Sequence, residues 1–160
     1  MKGVTTRNGT PPIEVRNEAV IPATAERVWD LLTDVERWPS WYRACRWVRL
    51  ESPGSFRWKA HPVELRSTVV AADRPHSFAI VADAWGLHAD RAFTIRATPD
   101  GQSAIVVSDE TQIGPLAWLG RVYLARRLWA ANQAMFDDLA RAAVRGGSKG
   151  TIQQQPLAPA

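Results

Sequence analysis

Cysteine occurs once in the chain, at Cys45, and histidine three times, at His61, His76 and His88. One cysteine excludes an intramolecular disulfide and a cysteine-only zinc site, and it fits a reducing compartment. Its thiol is expected to serve as a small buried apolar group. The three histidines sit on separate segments, so no metal site and no cofactor is expected. No stretch approaches the roughly 20 apolar residues of a membrane-spanning helix. Met1 to Pro12 is polar and lacks the apolar core of a secretory signal, which makes a cytoplasmic location the expectation. Long runs of one charge are missing too. Twenty basic and sixteen acidic residues interleave to a net charge of +4, and nucleic acid is not an expected partner. Arg121 and the Arg126-Arg127 pair still leave room for peripheral contact with a membrane or another protein. The phosphate-binding and metalloprotease motifs are absent. Residues 146–150 spell G-x-S-x-G, but a nucleophile elbow needs a strand before it and a helix after it, and here a helix leads into a tail.

What the chain does have is apolar bulk. Hydrophobic residues make up 46% of its 160 positions, and eight are tryptophan. An indole N–H needs a partner when buried, so eight of them imply a large packed or ligand-lined interior. The length suits one domain. Residues 1–12 and 146–160 are too poor in apolar side chains to offset the entropy of ordering and are expected to be disordered, leaving 13–145 as the domain.

Ile13 to Ile21 alternates as a strand with one buried face, and Pro22 ends it. Thr24 is an N-cap residue, and Val28, Leu31 and Leu32 form the stripe of a short helix. Pro39 predicts a second, separate helical turn over Asp34 to Trp41. Six more strands follow: Cys45–Glu51, Ser55–Ala60, Val63–Ala72, His76–Asp83, Gly86–Thr98 and Gln102–Ile113. Turns at Pro53-Gly54, Asp73-Arg74-Pro75 and Pro99-Asp100-Gly101 put them in hairpin order, hence an antiparallel sheet. Gly114-Pro115 opens one long helix that reaches about Val144. Its apolar stripe must be buried against the sheet. The expected class is α+β, with a seven-stranded curved antiparallel sheet wrapped around a long C-terminal helix.

Four segments carry a resemblance. IPATAERVWDLLTD (21–34) with WPSW (38–41) is similar to an opening strand followed by a V-W-x-x-L-T-D helix, and GSFRWK (54–59) to a G-x-x-F-x-W strand. GLHADRAF (86–93) stands where a G-I-x-A-x-H-x-W pattern is common, and Asp109-Glu110-Thr111 with Gly114 is similar to E-E-S-x-x-G. In this order they resemble a bacterial branch of the SRPBCC superfamily, the START-like, polyketide cyclase/dehydrase-like helix-grip proteins, over residues 13–145. The resemblance implies a cavity between the concave sheet and the long helix. It implies no single reaction, because the superfamily includes lipid carriers, aromatase/cyclases and quinone-binding proteins. The chain departs from the branch at Arg91, often a histidine there, and at Phe93, often a tryptophan, so no histidine acid/base carries over at 91.

Candidate site residues follow from periodicity. Trp118, Val122, Trp129 and Phe136 are spaced 4, 7 and 7, which aligns them on one side of the long helix as cavity wall or core. Asn132 falls within the apolar face, 4 after Leu128 and 7 before Leu139. An unpaired buried amide costs about 1–3 kcal/mol, so Asn132 needs backbone, water or ligand. Strand parity turns Arg91 inward with Phe93. If the last hairpin sets residue 91 opposite 110, Arg91 and Glu110 face each other across the pocket; a slip of one residue would expose Glu110. The pair could grip a polar end of a ligand, act as acid and base, or serve as a structural salt bridge. Trp38, Trp41, Trp58 and Ile80 complete the expected walls, with core packing as the alternative for the tryptophans. The expected function is binding, for transport, sequestration or presentation, of a small, largely apolar molecule such as a lipid, aromatic or polyketide-like compound. The alternative is a cyclase/dehydratase- or hydrolase-type enzyme using Glu110 and Arg91. Monomer and homodimer both remain open.

Overall fold

The structure is a computed structural model, and it describes residues 13–60 and 62–147. The expected disorder of 1–12, His61 and most of the expected C-terminal tail lie outside the described residues.

The chain begins with β1 (Ile13–Ile21), then α1 (Ala25–Thr33), a 3-10 turn (Val35–Arg37) and α2 (Trp38–Trp41). Six strands follow: β2 (Cys45–Ser52), β3 (Ser55–Ala60), β4 (Val63–Asp73), β5 (Ser77–Ala84), β6 (Leu87–Ala97) and β7 (Ala104–Ile113). The chain ends in α3 (Pro115–Leu119) and α4 (Arg121–Gly147). The seven strands form one antiparallel sheet in the order β1-β7-β6-β5-β4-β3-β2. Five hairpins therefore run in sequence, and α1 and α2 carry the chain from one edge strand, β1, to the other, β2. Register shifts within β2–β3 and between Val69 and Ala71 of β4 bend the sheet, as bulges do.

Local chemistry sets the helix starts. The Arg27 N–H donates to Thr24 Oγ1 at 3.3 Å, which caps α1, and Glu26 sits in its first turn. Val28, Trp29 and Leu32 are the buried face. They join Trp38, Phe56, Phe78, Phe93, Ile95, Phe136 and Leu139 in one core between sheet and helices. Each large side chain buried there contributes about 1.5–3 kcal/mol of transfer free energy. Trp38 is the hub. Its indole N–H donates to the Leu32 carbonyl at 3.0 Å, and its ring meets Phe56 and Trp58 edge to face.

The long C-terminal helix differs from expectation. It breaks at Gly120, whose backbone (φ −135°, ψ 28°) is not helical, so a short α3 precedes α4. The buried side of α4 runs through Asn132, Met135, Phe136, Leu139 and Ala143. Asn17 on β1 fixes that orientation. Its side-chain amide donates to the Trp129 carbonyl at 3.1 Å and to Gln133 Oε1 at 3.3 Å. Near the start of α4, Leu124, Ala125 and Leu128 pack on a small second cluster of Ile13, Val15 and Ala117. Among the described residues, no helix is long and apolar enough to cross a membrane.

Candidate functional site

Between the inner face of the sheet and α4 lies a cavity of about 200 Å³. Alternation along β5, β6 and β7 puts Ile80, Arg91 and Glu110 on that face, and the pairing sets Ile80 beside Arg91 and Arg91 beside Glu110. Trp38 and Trp58 wall the cavity from α2 and β3, and Asn132 and Met135 close it from α4. The Trp58 indole donates to Ser67 Oγ at 2.9 Å, so this ring is held without a ligand. Val63 and Ala131 are exposed as well as lining the cavity, which places its open side between β4 and α4.

The polar groups converge on Glu110, which is only 7% exposed. Its Oε2 accepts from the Asn132 amide at 2.9 Å, and its Oε1 accepts from the Gln112 amide at 2.7 Å. Arg91 Nε lies 3.6 Å from Glu110 Oε2, a longer ion contact, and donates instead to Ser108 Oγ at 2.9 Å. The guanidinium carbon stands 4.5 Å above the Phe93 ring, a favourable cation–π geometry. One terminal nitrogen of Arg91, Nη2, is buried and has no acceptor among the described residues. The buried Glu110 carboxylate is tolerable because Arg91 pairs with it and two side-chain amides donate to it. The arrangement therefore holds a neutralised carboxylate beside a buried guanidinium with one unpaired terminal nitrogen, on a residue that lines the apolar space.

Tyr42 also lines the cavity. Burial raises its phenol pKa above the usual 10.0, and the positive charge of Arg91 pulls it partly back. Cys45 is buried, and desolvation pushes its thiol up to about 11, so it is protonated at neutral pH and no nucleophile. His88 pairs with Asp83 at 2.7 Å. No group of three or more potential metal ligands occurs among the described residues.

Of the residues expected at the site, Trp38, Trp58, Ile80, Arg91, Phe93, Glu110 and Asn132 line the cavity. Phe136 is buried in the core beside it. Trp41 does not reach the cavity. It borders a larger, charge-lined cleft of about 450 Å³ between α1, α2 and the end of α4, where Asp138 binds Arg43 and Arg141. Trp118, Val122 and Trp129 are 64%, 66% and 51% exposed and point away from the cavity. Their spacing does align Val122, Trp129 and Phe136 on one side of α4, but of these only Phe136 is buried, and Trp118 lies before the break at Gly120. Leu128 and Asn132, on the flank of the expected stripe, take the inner position. Gln112 shares the parity of Glu110 and was readable on that ground; Tyr42 follows a short turn and carried no periodic signal.

Among curated proteins, no sequence matches the chain. Solved structures do resemble it. A START superfamily protein from Mycobacterium smegmatis superposes with a TM-score of 0.74 at 12% identity, over 82% of this chain and 97% of that one. A conserved protein from Geobacillus kaustophilus gives 0.73 at 12% identity, over 83% and 96%. The Zhui aromatase/cyclase from a Streptomyces species gives 0.70 at 15% identity, over 87% and 98%. At such identities the likeness concerns the fold alone. The sequence itself matches the family described as polyketide cyclase/dehydrase and lipid transport over residues 12–146, nearly the whole described region. A START-like helix-grip fold, a cavity between sheet and helix, and this match together place the chain: it belongs to the polyketide cyclase/dehydrase and lipid transport family.

Proposed function

We propose that the protein binds a small, largely apolar molecule with one oxygen-bearing end, as a carrier or sequestering protein. The observation that carries this reading is Arg91: a buried guanidinium at an apolar cavity whose Nη2 finds no acceptor among the described residues. An unsatisfied buried donor costs free energy, and a carboxylate, carbonyl or hydroxyl oxygen on the ligand removes that cost. Apolar contact supplies affinity at roughly 25 cal/mol per Å² of buried surface. The cavity volume, about 200 Å³, suits a single-ring aromatic or a short acyl chain. Glu110 has both oxygens engaged by amide donors, which favours a positioning role over proton transfer.

An enzyme remains the second reading, because Glu110 and Arg91 form a buried acid–cation pair in a cavity and the family's description includes cyclases and dehydrases. Glu110 would then move a proton and Arg91 stabilise developing negative charge.

Native mass spectrometry of the freshly purified protein tests the first reading. The expected result is a retained adduct of one small molecule per chain, lost on denaturation. Turnover of such a molecule, abolished by Glu110→Gln with binding intact, would favour the enzyme. Absence of any adduct, together with no tryptophan response to a panel of single-ring acids and short fatty acids, contradicts both.

A further inference from the structure

Trp118, Val122 and Trp129 have a different environment from the cavity. With Leu119 and Tyr123 they form an apolar face on α3 and the first turns of α4, each more than half exposed. The β5–β6 turn extends it. Trp85 is 90% exposed, and the neighbouring Gly86 lies beside Leu116 of α3, where an added Cβ would make ordinary contact with the Leu116 side chain at 3.8 Å. Gly114 holds this junction together, because a Cβ there would collide with the Gly86 carbonyl. Single exposed apolar side chains need no explanation, but a cluster of aromatic ones does.

Along α3 and the first turns of α4 the charge has one sign. From Thr111 to Phe136 there is no acidic residue, while Arg121, Arg126 and Arg127 are all exposed. Arg127 stands 5.7 Å from the Tyr123 ring and donates to its hydroxyl at 3.3 Å, which sets a cation at the rim of the aromatic face. Asp83, the acid nearest Trp85 in sequence, is engaged by His88. Indole and phenol rings sit well at headgroup depth, and guanidinium groups reach lipid phosphates from there.

We propose that this face docks the protein onto an anionic phospholipid surface. Two copies meeting isologously through it would bring their own arginines together, an unfavourable arrangement that an anionic bilayer reverses. Leu87 and Leu128, neighbours of Gly86 and Trp129, also line the cavity, so its rim lies beside the docked face. The docking face stands independently of whether the cavity takes a ligand.

Cosedimentation of the full chain with vesicles tests the proposal, using phosphatidylcholine alone or mixed with phosphatidylglycerol. Binding is expected to the mixed vesicles and to fall with added salt. Reversing Arg121, Arg126 and Arg127 to Glu together should weaken it by more than about a hundredfold, since removing three cations from an anionic surface accounts for about that much and the three added carboxylates are repelled as well. Trp118→Ser with Leu119→Ser should weaken it without any change of charge. All five side chains are exposed, and unchanged thermal melting is the control for folding. No binding to the mixed vesicles, or binding indifferent to the charge reversal, overturns the proposal. So does a concentration-dependent dimer that Leu119→Asp abolishes in a protein that ignores vesicles, which would assign the face to a second copy.

Discussion

Glu110 is a buried carboxylate whose partners come from three elements: Arg91 on β6, Gln112 on its own strand and Asn132 on α4. Its removal strands a cation and two amides at once. Glu110→Ala should therefore cost about 3–5 kcal/mol in chemical denaturation, as expected for breaking a buried pair. Asn132→Ala should cost about 1–3 kcal/mol. The two changes share one hydrogen bond, so a double-mutant cycle should show a coupling of about 0.5–3 kcal/mol. Strict additivity would mean that the side chains do not meet. Cys45 makes a prediction about pH. Burial raises its pKa from 9.0 to about 11, so the folded state holds the thiol neutral where the unfolded chain ionises it. That contribution is complete below pH 9 and is lost as pH rises toward 11. Tyr42 is raised in the same direction, for the same cause. Cys45→Ser should flatten the alkaline fall in stability, measured by urea unfolding at several pH values, while the wild-type thiol resists alkylation at pH 8 until the chain unfolds. At this scale the sequence was partly legible. Strand parity turned Arg91 inward, but Ile105–Val107 is apolar on both parities, so whether Glu110 faces it depended on the hairpin register, which the structure sets as Arg91 opposite Glu110. The partner of Asn132 was not legible, because it lies on another element 22 residues away.

The elements were more legible than the side-chain pairings. Strand alternation, proline stops and the Pro99-Asp100-Gly101 turn each act locally, so seven strands and the short helices could be read directly. The break at Gly120 escaped, because glycine in a helical pattern is tolerated as often as it interrupts. The break separates Trp118 from the helix that carries Val122 and Trp129, and all three are exposed. Gly114 tests how strongly this junction is specified. Its φ of 129° and its approach to the Gly86 carbonyl both exclude a side chain. Gly114→Ala should lower the melting temperature clearly. Gly101→Ala, at a positive φ in open space, should lower it by less. Equal effects would mean that the β5–β6 turn does not hold the start of α3.

At the scale of the molecule, a bent sheet closes on a helix and leaves a space that core side chains do not fill. The fold class followed from element order, since a long apolar-striped helix after a hairpin sheet has one large partner to cover it. The cavity did not follow in the same way. Whether a wall of Trp38, Trp58 and Phe93 packs solid or leaves room depends on tenths of an ångström that residue type does not encode. Isothermal titration of the protein with matched single-ring compounds, one bearing a carboxylate and one an unsubstituted hydrocarbon, tests the central claim most directly. The account predicts one site per chain, tighter binding of the carboxylate, and loss of that preference in Arg91→Met with the hydrocarbon affinity kept. Equal affinity of wild type and Arg91→Met for the carboxylate, or no saturable site for either compound, would contradict it.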